Sequence, residues 1–503
     1  MKLSAVALRL CLLAAPLVAA AKPNVLLICV DDLKPTLGCY GDPLARTPNL
    51  DRLAGRGMRF DLAYCNQAVC APSRNALMTG SRSTSLGIYT LGENFRTAVP
   101  DAVTLSQHFM RYGWRAEAIG KILHSGHGNH NDDASWSVPT IPGKVVEYVL
   151  PQSTGGGQLT REEAFFSNQH LGEINRLPRG AVAESPDVPD NAYTDGRIAD
   201  EGIRRLRAFR DKPDQPLFLA LGFVKPHLPF TAPKKYWDQF DPAKFPLASR
   251  TTPPDGAPAY AGKTLGELNN YDPIPRDPPL DEKVQRGLLH GYYAAASFAD
   301  AQIGRVLDEL DRLKLADNTI IVLWGDHGWH LGDHGMWTKH TNYEQANHIP
   351  FFVIAPGVTK PGTSTRQLAE TVDIYPTLAE LAGLPKPDGP QPRDGVSLVP
   401  VLRDPSARVR DHAYHAFPRQ RDREQVIGRA IRTERYRLVE WKKPGAAADT
   451  ADLELYDYQA DPLETKNLAA SQPKVVAELR AILDRHPEAK TRVATGGKKK
   501  GGE

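Results

Sequence analysis

The sequence predicts an α/β protein: a large, mostly parallel sheet covered by helices on both faces, followed by a smaller C-terminal α+β subdomain built on an antiparallel sheet. Three observations carry this. Nearly continuous apolar runs alternate with amphipathic helical segments, as strands buried on both faces require; they are "NVLLICV" from Asn24, "PLFLALGF" from Pro216, "TIIVLWG" from Thr319 and "IPFFVIAPG" from Ile349. Charged pairs follow predicted strands within a few residues: Asp31 and Asp32, Lys121 and His124, Lys225 and His227, Asp326 and His327. Beyond Asp394 the style changes to strand-like "AIRTERYRLVEW" and "LELYDY", closed by the helical "SQPKVVAELRAILDRH".

Taken in order, residues 1–21 place Lys2 and Arg9 before the apolar run "LCLLAAPLVAAA", which ends in small residues. That run is too short to span a bilayer and reads as a cleaved export signal, so the mature chain is expected to be periplasmic or secreted. Cys11 leaves with it. "NLDRLAGRGMRF" has helical spacing, and "LSQHFMRYGWRAEAIG" reads as a helix and then a strand. "GRIADEGIRRLRAF" and the stretch from Glu282 to Leu315 are helical. Segment 129–191 is rich in Gly, Pro and Ser and segment 241–281 in Pro and Asp; both are too long for ordinary connections and are expected to wall a cleft. The expected divisions are 1–21 signal, 22–393 catalytic domain, 394–487 C-terminal subdomain and 488–503 a disordered tail ending in "GGKKKGGE".

The balance of 62 Lys plus Arg against 59 Asp plus Glu gives no basic surface for nucleic acid, and no stretch is long enough for a membrane span. Four cysteines remain in the mature chain: Cys29, Cys39, Cys65 and Cys70. Cys29 falls inside an apolar strand and reads as a core residue. Cys65 and Cys70 could pair in an oxidising compartment, which leaves two readings of Cys70.

In a parallel sheet the carboxyl ends of the strands share one edge, and ligands bind there. Asp31, Asp32, Asp326 and His327 thus form a candidate divalent-cation site. Its mostly oxygen donors favour Ca²⁺ or Mg²⁺ over zinc, with Ca²⁺ preferred for an exported protein. In "AVCAPSRNALMTGSRS", Pro72 suits a first helical turn, Thr79-Gly80 stops the helix, and Cys70 falls at its start. Arg74 is one turn on, along the same face. An oxyanion fits such a place. A thiolate would ligate a hard cation poorly.

"CAPSRNALMTG" resembles the signature of the sulfatase family, Cys-x-Pro-Ser-Arg followed by Thr-Gly. "NVLLICVDDLKPTLGCYGD", "GKILHSG", "GFVKPHLPF", "GDHGWHLGDHGMWTKHTNYEQANHIPF" and "TVDIYPTLAELAGL" are similar, in order and style, to its iduronate-2-sulfatase branch. The resemblance implies that a maturation enzyme oxidises Cys70 to formylglycine, whose hydrate is the nucleophile and a metal ligand beside Asp31, Asp32, Asp326 and His327. It further implies that Arg74 holds the nucleophile's oxygens, Lys121 the sulfate, and Lys339 the bridging oxygen. His227 is the candidate general acid and His124 the candidate base. Lys225 is a candidate contact for a substrate carboxylate, and Trp329 and Trp337 either stack on sugar or pack their loop. His290, His330, His334, His340 and His348 are read as structural. The implied reaction is exo-acting removal of a 2-O-sulfate from a uronic acid or related sugar of a sulfated polysaccharide or glycosaminoglycan. The alternatives are a phosphomonoesterase or phosphonate hydrolase of the same superfamily, and a carbohydrate-binding relative without catalysis.

Overall fold

The computed structural model describes residues 22–141, 148–212, 214–276 and 278–493. The expected export signal, 1–21, and residues 494–503 lie outside the described residues.

Seven strands form the main sheet: β1 Asn24–Val30, β2 Met58–Phe60, β3 Arg115–Gly120, β4 Leu217–Phe223, β5 Thr319–Gly325, β6 Phe351–Ile354 and β7 Thr363–Thr365. Their order is β7-β2-β6-β5-β1-β4-β3. The block β5-β1-β4-β3 is parallel throughout, while β6 runs antiparallel to both β5 and β2. The apolar runs predicted as strands are β1, β4, β5 and β6. The three-residue β2 and β7 carry too little pattern to be read from sequence.

Strand alternation splits β1 between two cores. Val25, Leu27 and Cys29 face one side, against α2 Cys70–Thr79, α3 Leu105–Arg111 and α6 Ile374–Leu381. Leu26, Ile28 and Val30 face the other, against α1 Pro48–Ala54, α4 Thr194–Arg210 and the 31-residue α5 Glu282–Arg312. The sheet is therefore doubly covered, and its strands are apolar on both faces for that reason.

The second sheet, β8 Ala413–Arg421, β9 Glu424–Arg432, β10 Tyr436–Lys442 and β11 Asp452–Asp457, is an antiparallel meander. One face packs on α8 Pro473–Leu483 through Ile427, Ile431, Leu438 and Leu455. The other face, with Phe417, Val439 and Trp441, packs on Val69, Ala261 and Met336 of the main body. The change of packing falls later than residue 394: α7 Val399–Arg403 still places Val401 and Leu402 in the core of the main sheet. The expected tail also begins later than 488. Ala489 is buried, Lys490 N–H donates to Thr84 O at 2.9 Å, and Val493 N–H to Gly87 O at 2.9 Å. Apolar Ala489 and Val493 and the Arg492–Glu93 ion pair dock this stretch.

The two long segments are stitched together rather than loose. Gly180–Ala181 of the first pairs in parallel with Tyr271–Asp272 of the second, and Ala183–Glu184 ties the first to Phe230–Thr231 in the loop after β4.

Candidate active site

Adjacent parallel strands β5, β1, β4 and β3 end at one edge, and each hands its charged residues to the same crevice. At the end of β1, Asp32 adopts a left-handed backbone (φ 58°), an uncommon state for a residue with a Cβ. It is held there by its N–H donating to Asp326 Oδ1 at 2.9 Å and by Tyr292 Oη donating to its carbonyl at 2.8 Å. The turn after β3 needs Gly120, whose φ is +79° and whose Cβ, if present, would lie 2.3 Å from Gly222 O. This lets Lys121 turn into the crevice.

Helix α2 enters the same edge from the side. Val69 is extended, Cys70 is the first helical residue, and Gly80 ends the helix in a left-handed conformation (φ 69°). Ser73 Oγ donates to Asp326 O at 2.6 Å, tying the helix start to the end of β5. The Arg74 guanidinium is fully buried between two carboxylates, with Nη2 2.9 Å from Asp31 Oδ1 and Nε 3.0 Å from Asp326 Oδ2.

Cys70 Sγ, also buried, lies 3.3 Å from His327 Nε2, 3.5 Å from Lys339 Nζ and 3.8 Å from Lys121 Nζ. Burial and Asp31 would push its thiol up, but Lys121, Lys339 and His327 outweigh them and hold it well below the usual thiol range. The pocket around atom γ of residue 70 is built for negative charge. All four cysteines among the described residues are free: Cys65 Sγ faces Asn347 Oδ1 at 3.7 Å and makes no bridge to Cys70. Cys29 is a core residue, as expected.

Asp31, Asp32, Cys70 and His327 each offer a ligand atom, and all four atoms lie within 4.8 Å of one another. The fifth expected ligand, Asp326, stands alongside, with His327 Nε2 3.6 Å from its Oδ1. Burial, reinforced by Asp31 and the Cys70 sulfur, pushes the Asp326 carboxyl up to about 7. Three buried carboxylates beside one imidazole fit a hard divalent cation: the oxygen donors suit it, and its charge would relieve their repulsion. A second group, Asp32, His227 and Glu267, meets the same distance condition. It already holds a cation, because the Lys339 ammonium lies 2.9 Å from both Asp32 and Glu267.

The two histidines assigned to proton transfer differ sharply. His227 Nε2 is 3.0 Å from Glu267 Oε1, and its Nδ1 is bonded to Leu228 O. Both acceptors lack protons, so both ring nitrogens carry one. Burial alone would lower the His227 pKa, but the Glu267 carboxylate, with Asp32, raises it well above the usual range. His124 interacts with the Cys70 sulfur, and its Nε2 is 3.2 Å from His127 Nδ1. Burial, with Lys121, lowers its pKa.

Three expected substrate contacts are otherwise engaged. The Lys225 ammonium donates to His227 O at 2.8 Å and Pro229 O at 2.6 Å, bracing the loop that presents His227. Trp329 and Trp337 are 1% and 3% exposed and pack in a core beneath the site; Lys339 Nζ sits 5.3 Å over the Trp329 ring. They fill the loop rather than face a sugar. His290, His330, His334 and His348 bond Trp237 O, Thr341 Oγ1, Leu463 O and Asp61 O, which is structural work. Sequence reasoning missed Glu267, His127, Lys263 and Arg419. Glu267, Lys263 and Arg419 are lone polar residues in a long segment or a strand with no spacing to mark them, whereas His127 stands three residues past His124 in the turn region after β3.

Residues 23–384 match the sulfatase family model, and 332–489 match the C-terminal model of N-sulphoglucosamine sulphohydrolase. Fold and site together define the class, a sulfuric ester hydrolase. The chain belongs to the sulfatase family. It is 33% identical to iduronate 2-sulfatase of Mus musculus over 521 residues, covering 88% of this chain and 90% of that one. It is 30% identical to a sulfatase of Formosa agariphila, covering 89% and 83%. Among solved structures, it shares its fold with a protein in complex with its substrate D-glucosamine-2-N,6-O-disulfate (TM-score 0.69, 21% identity, 92% and 97% covered). It shares it also with a phosphonate monoester hydrolase from Silicibacter pomeroyi (TM-score 0.69, 23% identity, 92% and 95% covered).

Proposed function

We propose that this chain is an exported sulfatase that removes a 2-O-sulfate from a uronic acid at the non-reducing end of a sulfated polysaccharide or glycosaminoglycan, with Cys70 oxidised to formylglycine. The observation that carries the reading is the setting of Cys70: a buried helix-start residue facing Lys121, Lys339 and His327, beside three carboxylates. The similarity to iduronate 2-sulfatase supports the substrate. The main-sheet unit, which extends through Val401 and Leu402, would form the catalytic unit, and the antiparallel sheet with α8 the unit that closes its cleft.

Asp31, Asp32, Asp326, His327 and residue 70 would hold the divalent cation, for which Ca²⁺ is the better match. Bound there, the cation would screen the sulfate charge and lower the pKa of a nucleophilic oxygen, and the formylglycine hydrate would supply that oxygen. The chain's own residues do the rest. Arg74 fixes Asp31 and Asp326 and neutralises them. Lys121 and Lys339 bracket position 70, so both face the incoming sulfate and stabilise charge that grows in the transition state. His227, doubly protonated, donates to the leaving alcohol. His124, kept neutral by burial, accepts a proton when sulfate departs. Each proton transfer is worth about 10²–10⁴-fold.

The test has two arms. Mass spectrometry of the peptide containing Cys70, from active protein, should show the mass loss of thiol-to-aldehyde conversion. Rates on an aryl sulfate should exceed those on the matching aryl phosphate. An unmodified Cys70 in active protein ends the nucleophile assignment, and faster phosphate turnover ends the sulfatase one.

A further inference from the structure

A cavity of about 590 Å³ opens beside the nucleophile, starting at Val69, the residue before Cys70. That size falls in the ~300–1,000 Å³ range of small-molecule sites. Three parts of the chain wall it: Phe165 from the first long segment, Lys263 from the second, and Phe417 and Arg419 from β8 of the antiparallel sheet. His127, stacked on Phe165 with ring centroids 4.4 Å apart, links this wall to His124.

The charge of this wall is one-sided. Among the described lining residues there are two full cations, Lys263 and Arg419, and no acidic side chain. Arg419 donates to the carbonyls of Tyr260, Ala261, Pro418 and His340, and its guanidinium lies 4.3 Å from the centroid of Phe417. It makes no ion pair among the described residues. Lys263 has no hydrogen-bond or ion-pair partner among the described residues. The two cations repel each other, and burial draws Arg419 down to about 10. Glu267 attracts Lys263 and Glu454 attracts Arg419, and backbone carbonyls brace the arginine, but among the described residues no carboxylate pairs directly with either cation of this wall. An anion from outside would supply that pairing.

Resting on the reading of the site as a sugar sulfatase, we propose that Lys263 and Arg419 form the subsite for a second anionic group of the substrate, the carboxylate of a 2-O-sulfated uronic acid. The scissile sulfate already has Lys121 and Lys339. On such a sugar the carboxylate lies across the ring from the 2-O-sulfate, so its binder must stand beside the nucleophile rather than at it, as this wall does. His340 lines the same cavity with Nδ1 unpartnered, placed to bond a ring hydroxyl. The carboxylate contact expected of Lys225 thus moves to a different lysine and an arginine from the other subdomain.

The test compares kcat/KM for a uronic acid 2-sulfate with that for its carboxyl-reduced counterpart, in wild type and in Lys263→Met, Arg419→Lys and Arg419→Met. Because the readout is the ratio of two substrates on one protein, partial loss of folded enzyme cancels. Wild type should prefer the carboxylate by about 10²-fold. Lys263→Met should cut that ratio by about tenfold or more, in line with the loss of one charge-assisted hydrogen bond. Arg419→Lys should keep more of it than Arg419→Met. If wild type hydrolyses sulfate esters without preferring the carboxylate, the subsite assignment falls and the sulfatase reading stands. It falls equally if the preference survives Lys263→Met and Arg419→Met. If a second sulfate on the neighbouring sugar, rather than the carboxylate, is what Lys263→Met ceases to read, the subsite belongs to that group and the proposal is overturned. If wild type hydrolyses no sulfate ester, both readings fall.

Discussion

The two histidines near residue 70 start from the same ordinary pKa of about 6.5 and are driven apart by their neighbours. Glu267 and Asp32 keep His227 charged; burial and Lys121 keep His124 neutral. A plot of kcat/KM against pH should therefore be a broad bell. Its acid limb lies below the ordinary histidine range, where His124 gains a proton, and its alkaline limb lies above that range, where His227 loses one. Glu267→Gln removes the carboxylate that raises His227, so the alkaline limb should shift to lower pH while the acid limb stays. An unmoved alkaline limb would show that Glu267 has no hold on this proton. The carboxylates give a second outcome at this scale. Exhaustive chelation should abolish turnover and lower the unfolding temperature, and Ca²⁺ or Mg²⁺ should restore both where Zn²⁺ does not, since the donors are mostly oxygen.

The elements aim these groups through a few backbone positions. Strand β3 ends at Gly120 because the chain must enter a left-handed conformation while passing against Gly222 O. Gly120→Ala adds about 1–2 kcal/mol of backbone strain and a clash at that carbonyl, and it sits directly before Lys121. The expected outcome is an unfolding free energy lowered by about 2 kcal/mol or more, with a larger fall in kcat than in substrate affinity. Helix α2 is legible in the sequence from Pro72 and Thr79-Gly80. That all ten of its residues are buried is not. Cys70, Ser73 and Arg74 are engaged by residues just past the ends of β5, β1 and β3, elements far from them along the chain.

At the scale of the molecule, the antiparallel sheet is fastened to the main body by charge as well as by apolar packing. Arg437 on β10 is fully buried and pairs with Glu464 and, at 2.5 Å, with Glu344, which also receives Arg432. Glu344 belongs to the loop that carries Asp326 and Lys339 toward the site. Arg437→Met would leave Glu464 buried without its cation, a loss of about 3–5 kcal/mol. Calorimetry should show one transition moving to lower temperature, with activity lost along the same curve. A separate early transition that spares activity would mean the two parts are independent. The cavity walled jointly by Lys263 and Arg419 predicts the first result, since a site shared by both parts needs both in place.

The sequence by itself determined the sheet, its two covered faces, and the strand ends where Asp31, Asp32, Lys121, His124, His227, Asp326 and His327 converge. Apolar periodicity and the position of a charge after a strand are local properties, and local order is written along the chain. It also marked Cys70, through the residues that follow it. Only the tertiary structure decided the rest. Lys225 braces a loop, Trp329 and Trp337 are core, Glu267 governs His227 and Lys339, and Lys263 meets Arg419 across a cavity. Those relations join segments tens to hundreds of residues apart, and a side chain's partner across that distance is fixed by packing, which leaves no spacing to read.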